Sequence, residues 1–406
     1  MLLRSFKLFT AAWLTVWLLV ACGGSGSAAP APNGLKVTAT DSGATVSWDV
    51  VPGVEYWVFY GPTSIAPKTT ASMGSWIGLV GGGSKIAAAS PFAVTGLVNG
   101  TNYSFSVNGR TDSGPGGPGS TPVTATPMPA GSTWTAGPNA GSNDLRSAMF
   151  GTSFVAAGAN GAMFSSLDGS TWSAISYANS INWNGASFFG SYRLVGDAGA
   201  VLTSADAVTW TARTSGTAEN LYAIATNSSN LNVAVGANGT IITSSDGITW
   251  TVASKSPATT QAFYGVTYST YNGGTWVAVG AAGTVYKSAD GLTWTSVASS
   301  TVNDLRGISY GASAFVAVGS GGTVLSSVDG VTWTARTAPA LIDLKAVLYS
   351  TQFVAVGAGG NVFISADGLT WTPSAATGTS ATLNALTRGT LVDLAVGASG
   401  TNLLAK

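Results

Sequence analysis

The chain has 406 residues, 54 of them glycine, with 8% charged side chains and 16 basic against 16 acidic groups. That balance excludes the broad electropositive surface that nucleic acid binding relies on, so no nucleic acid partner is expected. Thr, Val, Ser, Gly and aromatic residues are plentiful while helix formers such as Glu, Lys and Gln are scarce, which predicts an all-β protein of short strands and tight turns.

Residues 1–21 read as a signal peptide: Arg4 and Lys7 form a basic opening, and Leu8 to Val20 form an apolar stretch too short for a comfortable transmembrane span. Leu19, Val20, Ala21 and Cys22 resemble the lipobox of bacterial lipoproteins, and Cys22 is the only cysteine of the chain. The resemblance implies cleavage before Cys22, acylation there and attachment to a membrane, each buried methylene contributing about 0.8 kcal/mol. Gly23 in place of Asp after the cysteine implies the outer membrane of a Gram-negative cell envelope. Loss of Arg4 and Lys7 leaves 14 basic against 16 acidic side chains, a net charge of −2. Residues 22–32 are then the acylated cysteine and a tether, GGSGSAAPAP, that reaches about 35 Å at roughly 3.5 Å per residue.

Residues 33–127 alternate as strands do, in LKVTAT, ATVSWDV, EYWVFYG and FAVTGLVNGTNYSFSVNGR. Trp48, Tyr56, Leu97, Tyr103, Phe105 and Val107 carry a resemblance to fibronectin type III domains. It implies a β-sandwich in which Trp48, Leu97, Phe105 and Val107 are core and Tyr103 bonds back to the backbone at a corner. The stretch Pro62 to Pro91 is longer than that family's connection, so an extra strand or loop is expected. There is no Arg-Gly-Asp, and Arg110, Thr111, Asp112 is no substitute, so the domain reads as a spacer.

After a linker at 128–131, residues 132–406 repeat. Tryptophans recur at Trp134, Trp172, Trp210, Trp250, Trp294, Trp333 and Trp371, and glycines of a VAVG-type motif at Gly158, Gly196, Gly236, Gly280, Gly319, Gly357 and Gly397. The period predicts a seven-bladed β-propeller of four-stranded blades. The series opens with a tryptophan and closes with a glycine motif, so the segment around Trp134 is expected to complete the last blade from the N-terminal side and remove the open edges.

Asp-Gly between apolar-alternating runs is a tight-hairpin signal, with Gly supplying positive φ and Asp accepting from nearby N–H groups. Ser244, Asp246, Gly247, Thr249 and Trp250 resemble the Asp-box, or BNR repeat, of sialidase-type and photosystem II assembly-factor propellers, and the pattern recurs at Asp168, Asp290, Asp329 and Asp367. Here Asp and Gly are adjacent, Ala207 follows Asp206, and Ala130 stands for the Asp before Trp134. The resemblance implies a box at the blade periphery that builds the fold rather than binding metal.

The chain contains no His, which removes most metal sites and Ser-His-Asp triads, and only two Glu, Glu55 and Glu219. No catalytic residue, metal or cofactor is assigned. In a propeller the innermost strand lines a central channel, where one aligned position reads Arg146, Asn184, Tyr222, Tyr264, Arg306, Lys345 and Asn384. A basic arc facing an aromatic arc could bind an anionic sugar or a peptide carboxylate. Asp144, Asp304 and Asp343, two residues before the cations, could instead neutralise them internally. The leading expectation is a non-enzymatic binding or scaffold lipoprotein with a carbohydrate or protein ligand. The alternatives are a carbohydrate-active glycosidase or lyase using Asp at the channel mouth, and an assembly factor for a membrane complex.

Overall fold

A computed structural model describes residues 27–40, 42–67, 73–128, 132–270, 273–375, 377–390 and 392–405. The signal segment, Cys22 and linker residues 129–131 lie outside them. The described residues form strands and short 3₁₀ turns, and none of their helices is long and apolar enough to cross a membrane. Contacts divide the chain into two compact units at Pro129/Ala130.

The first unit holds two antiparallel sheets. One orders Lys36–Thr40, Gly43–Ser47 and Phe92–Thr95; the other orders Gly83–Lys85, Glu55–Pro62, Tyr103–Arg110 and Val123–Ala125. Trp48, Tyr56, Val58, Leu97, Tyr103, Phe105 and Val107 are buried together. The Val98 N–H donates to the buried Tyr103 hydroxyl at 3.1 Å, which ties the 97–103 corner to the strand it feeds.

Tyr103–Arg110 is buried on both faces rather than alternating, because residues 116–120 cover its polar side. There Ser106 donates to the Ser120 carbonyl at 2.9 Å and Asn108 to that of Gly117 at 3.2 Å. In the long stretch after Pro62, Gly83–Lys85 adds a short edge strand and Trp76 buries against Phe59 and Ala66. Ser27 to Ala29 belong by sequence to the tether, yet they pack on this unit. Ala28 bridges Arg110, Ala29 is buried, and the Thr111 N–H donates to the Ser27 carbonyl at 3.0 Å.

Among its described residues the second unit holds seven sheets, and the innermost strand of each packs on that of the next, the last closing on the first. The unit around Leu305–Gly311 is typical, continuing outward through Ala314–Gly319, Val324–Ser327 and Thr334–Arg336. In the sheet of Leu383–Arg388, Asp393–Gly397 and Asn402–Ala405, the outer strand is Trp134–Ala136, with Trp134 opposite Ala405. The ring is thus closed by pairing the first and last strands of the second unit.

One sheet departs from the four-stranded expectation. Ser254–Ser256 adds a fifth, parallel strand outside Thr293–Val297, with the Ser254 N–H donating to the Leu292 carbonyl at 2.9 Å. The connecting segment thereby satisfies an outer edge that would otherwise face water.

Two repeated devices account for the motif. A Cβ on Gly319 would fall on the Asp304 carbonyl, and the same overlap recurs at the other six glycines of that series. At the hairpin corner, Asp246 Oδ1 accepts the N–H groups of Ile248 and Thr249 at 2.7 and 2.8 Å and the Ser244 hydroxyl at 2.9 Å, while Ser244 accepts the Gly247 N–H at 2.8 Å. These bonds to the ionised form hold the carboxyls of Asp206 and Asp246 down at about 2. Trp294 Nε1 donates to the Gly291 carbonyl at 3.0 Å, fastening the tryptophan under its own turn.

Candidate functional site at the channel mouth

In all seven innermost strands the pairing register slips by one residue near the start. In Leu305–Gly311, for example, Leu305 faces Gly319 and Gly307 faces Val318, which leaves Arg306 without an opposite residue. The seven residues so left out are Arg146, Asn184, Tyr222, Tyr264, Arg306, Lys345 and Asn384. A bulge re-aims the side chain it carries, and all seven line one cavity of about 180 Å³. The residue after each bulge is small, which lets neighbouring inner strands approach. A Cβ on Gly185 would lie 2.8 Å from Ala223 Cα, and one on Gly307 3.0 Å from Ala346 Cα.

Beneath this polar ring the same cavity is walled by Ile224, Val266, Ile308, Val347 and Leu386. The first four are only 7–8% exposed. The mouth is therefore a polar ring whose cavity is walled further in by apolar side chains.

The residue two places ahead of the bulge has a structural task. Backbone N–H groups of Asn160, Ala198, Ala282, Gly321 and Ser399 donate at 2.8–3.1 Å to Oδ1 of Asn182, Asn220, Asp304, Asp343 and Asp144 respectively. Each bond latches the 3₁₀ turn of one sheet to the entry of the next inner strand. The Asn members of this series are legible only if Asp and Asn are aligned as one acceptor type; looking for counter-ions alone misses them.

The cations are not equivalent. Arg306 Nη2 lies 3.1 Å from Asp304 Oδ2, and Lys345 Nζ 3.6 Å from Asp343 Oδ2. Arg146 makes no ion pair among the described residues and donates instead to Asn184 Oδ1 at 3.1 Å, so internal neutralisation covers two of the three cations. The turn latch is common to Asp144, Asp304 and Asp343, whose Oδ1 atoms all accept a backbone N–H; what sets Arg146 apart is that its guanidinium is turned to Asn184 of the neighbouring inner strand. Asn184 in turn donates to Asp197 Oδ1 at 2.9 Å and to the Leu221 carbonyl at 3.1 Å, and Asn384 donates to the Leu145 carbonyl at 2.8 Å.

The Tyr222 and Tyr264 rings are 5.6 Å apart and tilted by 46°, and the Arg306 guanidinium lies over Tyr264 at 5.3 Å. Burial pushes the Tyr264 hydroxyl pKa up, with the Asp304 charge acting the same way. The Asp343 carboxyl is held below its ordinary value, first by the Gly321 N–H and then by the charges of Lys345 and Arg306. Among the described residues no three His, Cys, Asp or Glu side chains come together as a metal site.

No family model matches the chain, and no curated protein matches its sequence. Solved structures do match in shape. YCF48 bound to a D1 peptide is 16% identical, covering 67% of this chain and 94% of that one at a TM-score of 0.55. YCF48 from Cyanidioschyzon merolae is 17% identical, covering 67% and 98% at 0.54. A catalytically inactive histidine-to-alanine form of virginiamycin B lyase from Staphylococcus aureus with quinupristin is 10% identical, covering 68% and 99% at 0.60. At these identities the likeness is one of architecture, and it identifies the fold as a β-propeller.

Proposed function

We propose that the chain is a non-enzymatic, lipid-anchored binding protein of the cell envelope. In this reading a fibronectin type III-like spacer, residues 33–127, presents a seven-bladed β-propeller, residues 132–406, whose channel mouth takes a small anionic group. The observation that carries the reading is the bulge ring: seven side chains turned out of register into one cavity, one of them a cation without a counter-ion among the described residues. Support for the anchor is the Leu19 to Cys22 motif, with the outer membrane as the proposed address. Support for the spacer is the Tyr103 corner and the core around Trp48 and Phe105.

Enzymatic use of the mouth is less well supported. A glycosidase needs a carboxyl with a raised pKa to act as general acid. The Asp343 carboxyl is instead held below its ordinary value, and the oxygens of Asp144, Asp304 and Asp197 already accept hydrogen bonds from neighbouring N–H groups. The lyase neighbour is described as inactive in a histidine-to-alanine form, and this chain has no histidine. A protein partner is the second reading, as for an assembly factor, and the peptide-bound YCF48 neighbour supports it.

The test is calorimetric titration of the full acylated chain in detergent with small carboxylates, neutral sugars and peptides, with product analysis alongside. Binding without turnover is expected. Turnover, or saturable binding that survives loss of Arg146, would contradict the reading. Mass analysis of Cys22 and of a Cys22→Ser chain tests the anchor, which predicts acyl groups on the former and none on the latter.

A further inference from the structure

We infer that the vestibule is a sugar-acid site, taking a pyranose ring with one carboxylate, the carboxylate on Arg146 and the ring face on Tyr222, with Asn184 as the positioning residue. This rests on the channel-mouth reading and adds the ligand's class and orientation. Arg146 is exposed, makes no ion pair among the described residues, and has its one hydrogen bond to a neutral amide. An anion arriving there displaces no internal carboxylate, whereas at Arg306 or Lys345 it must compete with Asp304 or Asp343. Asn184 is saturated: its oxygen accepts from Arg146 and its amide group donates twice. It therefore aims the guanidinium and has no donor left for a ligand.

The rest of the ring narrows the class. Arg306 already covers Tyr264, while half-buried Tyr222 has no cation over it and no hydrogen-bond partner for its hydroxyl among the described residues. The cavity of about 180 Å³ lies below the roughly 300 Å³ at which drug-sized sites begin, which favours a single ring over a longer chain. A peptide would look for backbone donors to pair with. The turn N–H groups at this end are already given to Asp and Asn side chains at five of the junctions. What is offered is one cation, an aromatic face and side-chain hydroxyls and amides, which matches a carboxylated sugar.

The experiment is titration of the full chain in detergent with glucuronate, glucose and an acetylated dipeptide bearing a free carboxylate, each variant first checked for unchanged melting. Glucuronate is expected to bind at least about tenfold tighter than glucose, and Arg146→Gln to remove about that factor. Asp304→Asn keeps an acceptor for the Ala282 N–H but frees Arg306, so it should tighten glucuronate binding several-fold. Asn184→Ala should weaken binding while leaving its salt dependence as in the parent, since the charge on Arg146 remains; Arg146→Gln should flatten that dependence. Glucuronate binding no tighter than glucose, or indifferent to Arg146→Gln, overturns the inference. If the dipeptide alone binds and Arg146→Gln abolishes it, the sugar class falls and the channel-mouth reading stands. If none of the three binds, both fall.

Discussion

The hairpin corners at the rim and the bulge ring at the centre are both polar and both repeated, the corner in six of the seven sheets and the bulge in all seven, and they are built to opposite ends. At the rim, Ser, Asp and Gly recur almost without change, and their bonds close on themselves, as at Ser288, Asp290 and Gly291. At the centre the backbone device recurs but the side chain differs from sheet to sheet, and Arg146 has only a neutral amide as its hydrogen-bond partner. Constancy within a repeat marks what each sheet needs in order to fold; variation at a conserved geometry marks what the whole ring can do. Bonds spent internally cannot recognise a ligand, so in the proposed function the more conspicuous motif serves the fold and the ring serves binding.

The largest effect that sharpens this contrast is expected from Gly319→Ala. Its Cβ meets backbone rather than a flexible side chain, so about 3 kcal/mol should be lost in denaturant unfolding. Acid comes next. The Asp246 carboxyl falls from an ordinary 3.8 to about 2 on folding. A depressed folded pKa contributes stability that is complete above the unfolded value and is lost as pH falls through the folded one. Melting temperature should therefore drop between about pH 4 and pH 2, and Asp246→Asn should lessen that drop while glucuronate binding at neutral pH stays as it was.

Arg193 tests the rule from the other side. It stands where the other six sheets carry Val155, Val233, Val277, Val316, Val354 and Leu394, and it is 2% exposed with Nε unpartnered. It donates to the Phe189 and Ser191 carbonyls and to Asn230 Oδ1, and burial lowers its pKa. This is variation away from the mouth, so Arg193→Val should leave ligand binding intact and change stability by no more than about 1 kcal/mol, since a buried guanidinium without a carboxylate contributes little. A loss of binding would extend the functional region to this junction. The smallest effect belongs to Ala207, which holds φ 63 where the equivalent residues are glycines. Ala207→Gly should stabilise by about 0.5 kcal/mol, relief of the left-handed strain outweighing the lost methyl contact.

Much of the ring was legible because its signals are local. The phase of Trp134 against Gly397 pointed to completion of the last sheet by the segment around Trp134, and Trp134–Ala136 lies beside Asn402–Ala405. The seven mouth positions were legible by aligning the inner strands, though the bulge that turns them inward is a matter of register and leaves no residue signature beyond the small residue that follows. The fifth strand at Ser254–Ser256 was not legible, because a parallel pairing made by backbone alone needs no apolar alternation. Nor was the partner of Arg146, since Asn184 is 38 residues away and reaches it only because adjacent inner strands pack closely. The docking of Ser27 to Ala29 was hidden by a composition that reads as linker.

The most direct test of the account crosses the two regions in one experiment: melting temperature and glucuronate affinity measured together for the full chain, Arg146→Gln and Asp290→Asn. The account predicts that Arg146→Gln loses affinity at unchanged melting temperature and that Asp290→Asn melts lower at unchanged affinity. Loss of affinity in Asp290→Asn with none in Arg146→Gln would contradict it, placing recognition at the rim.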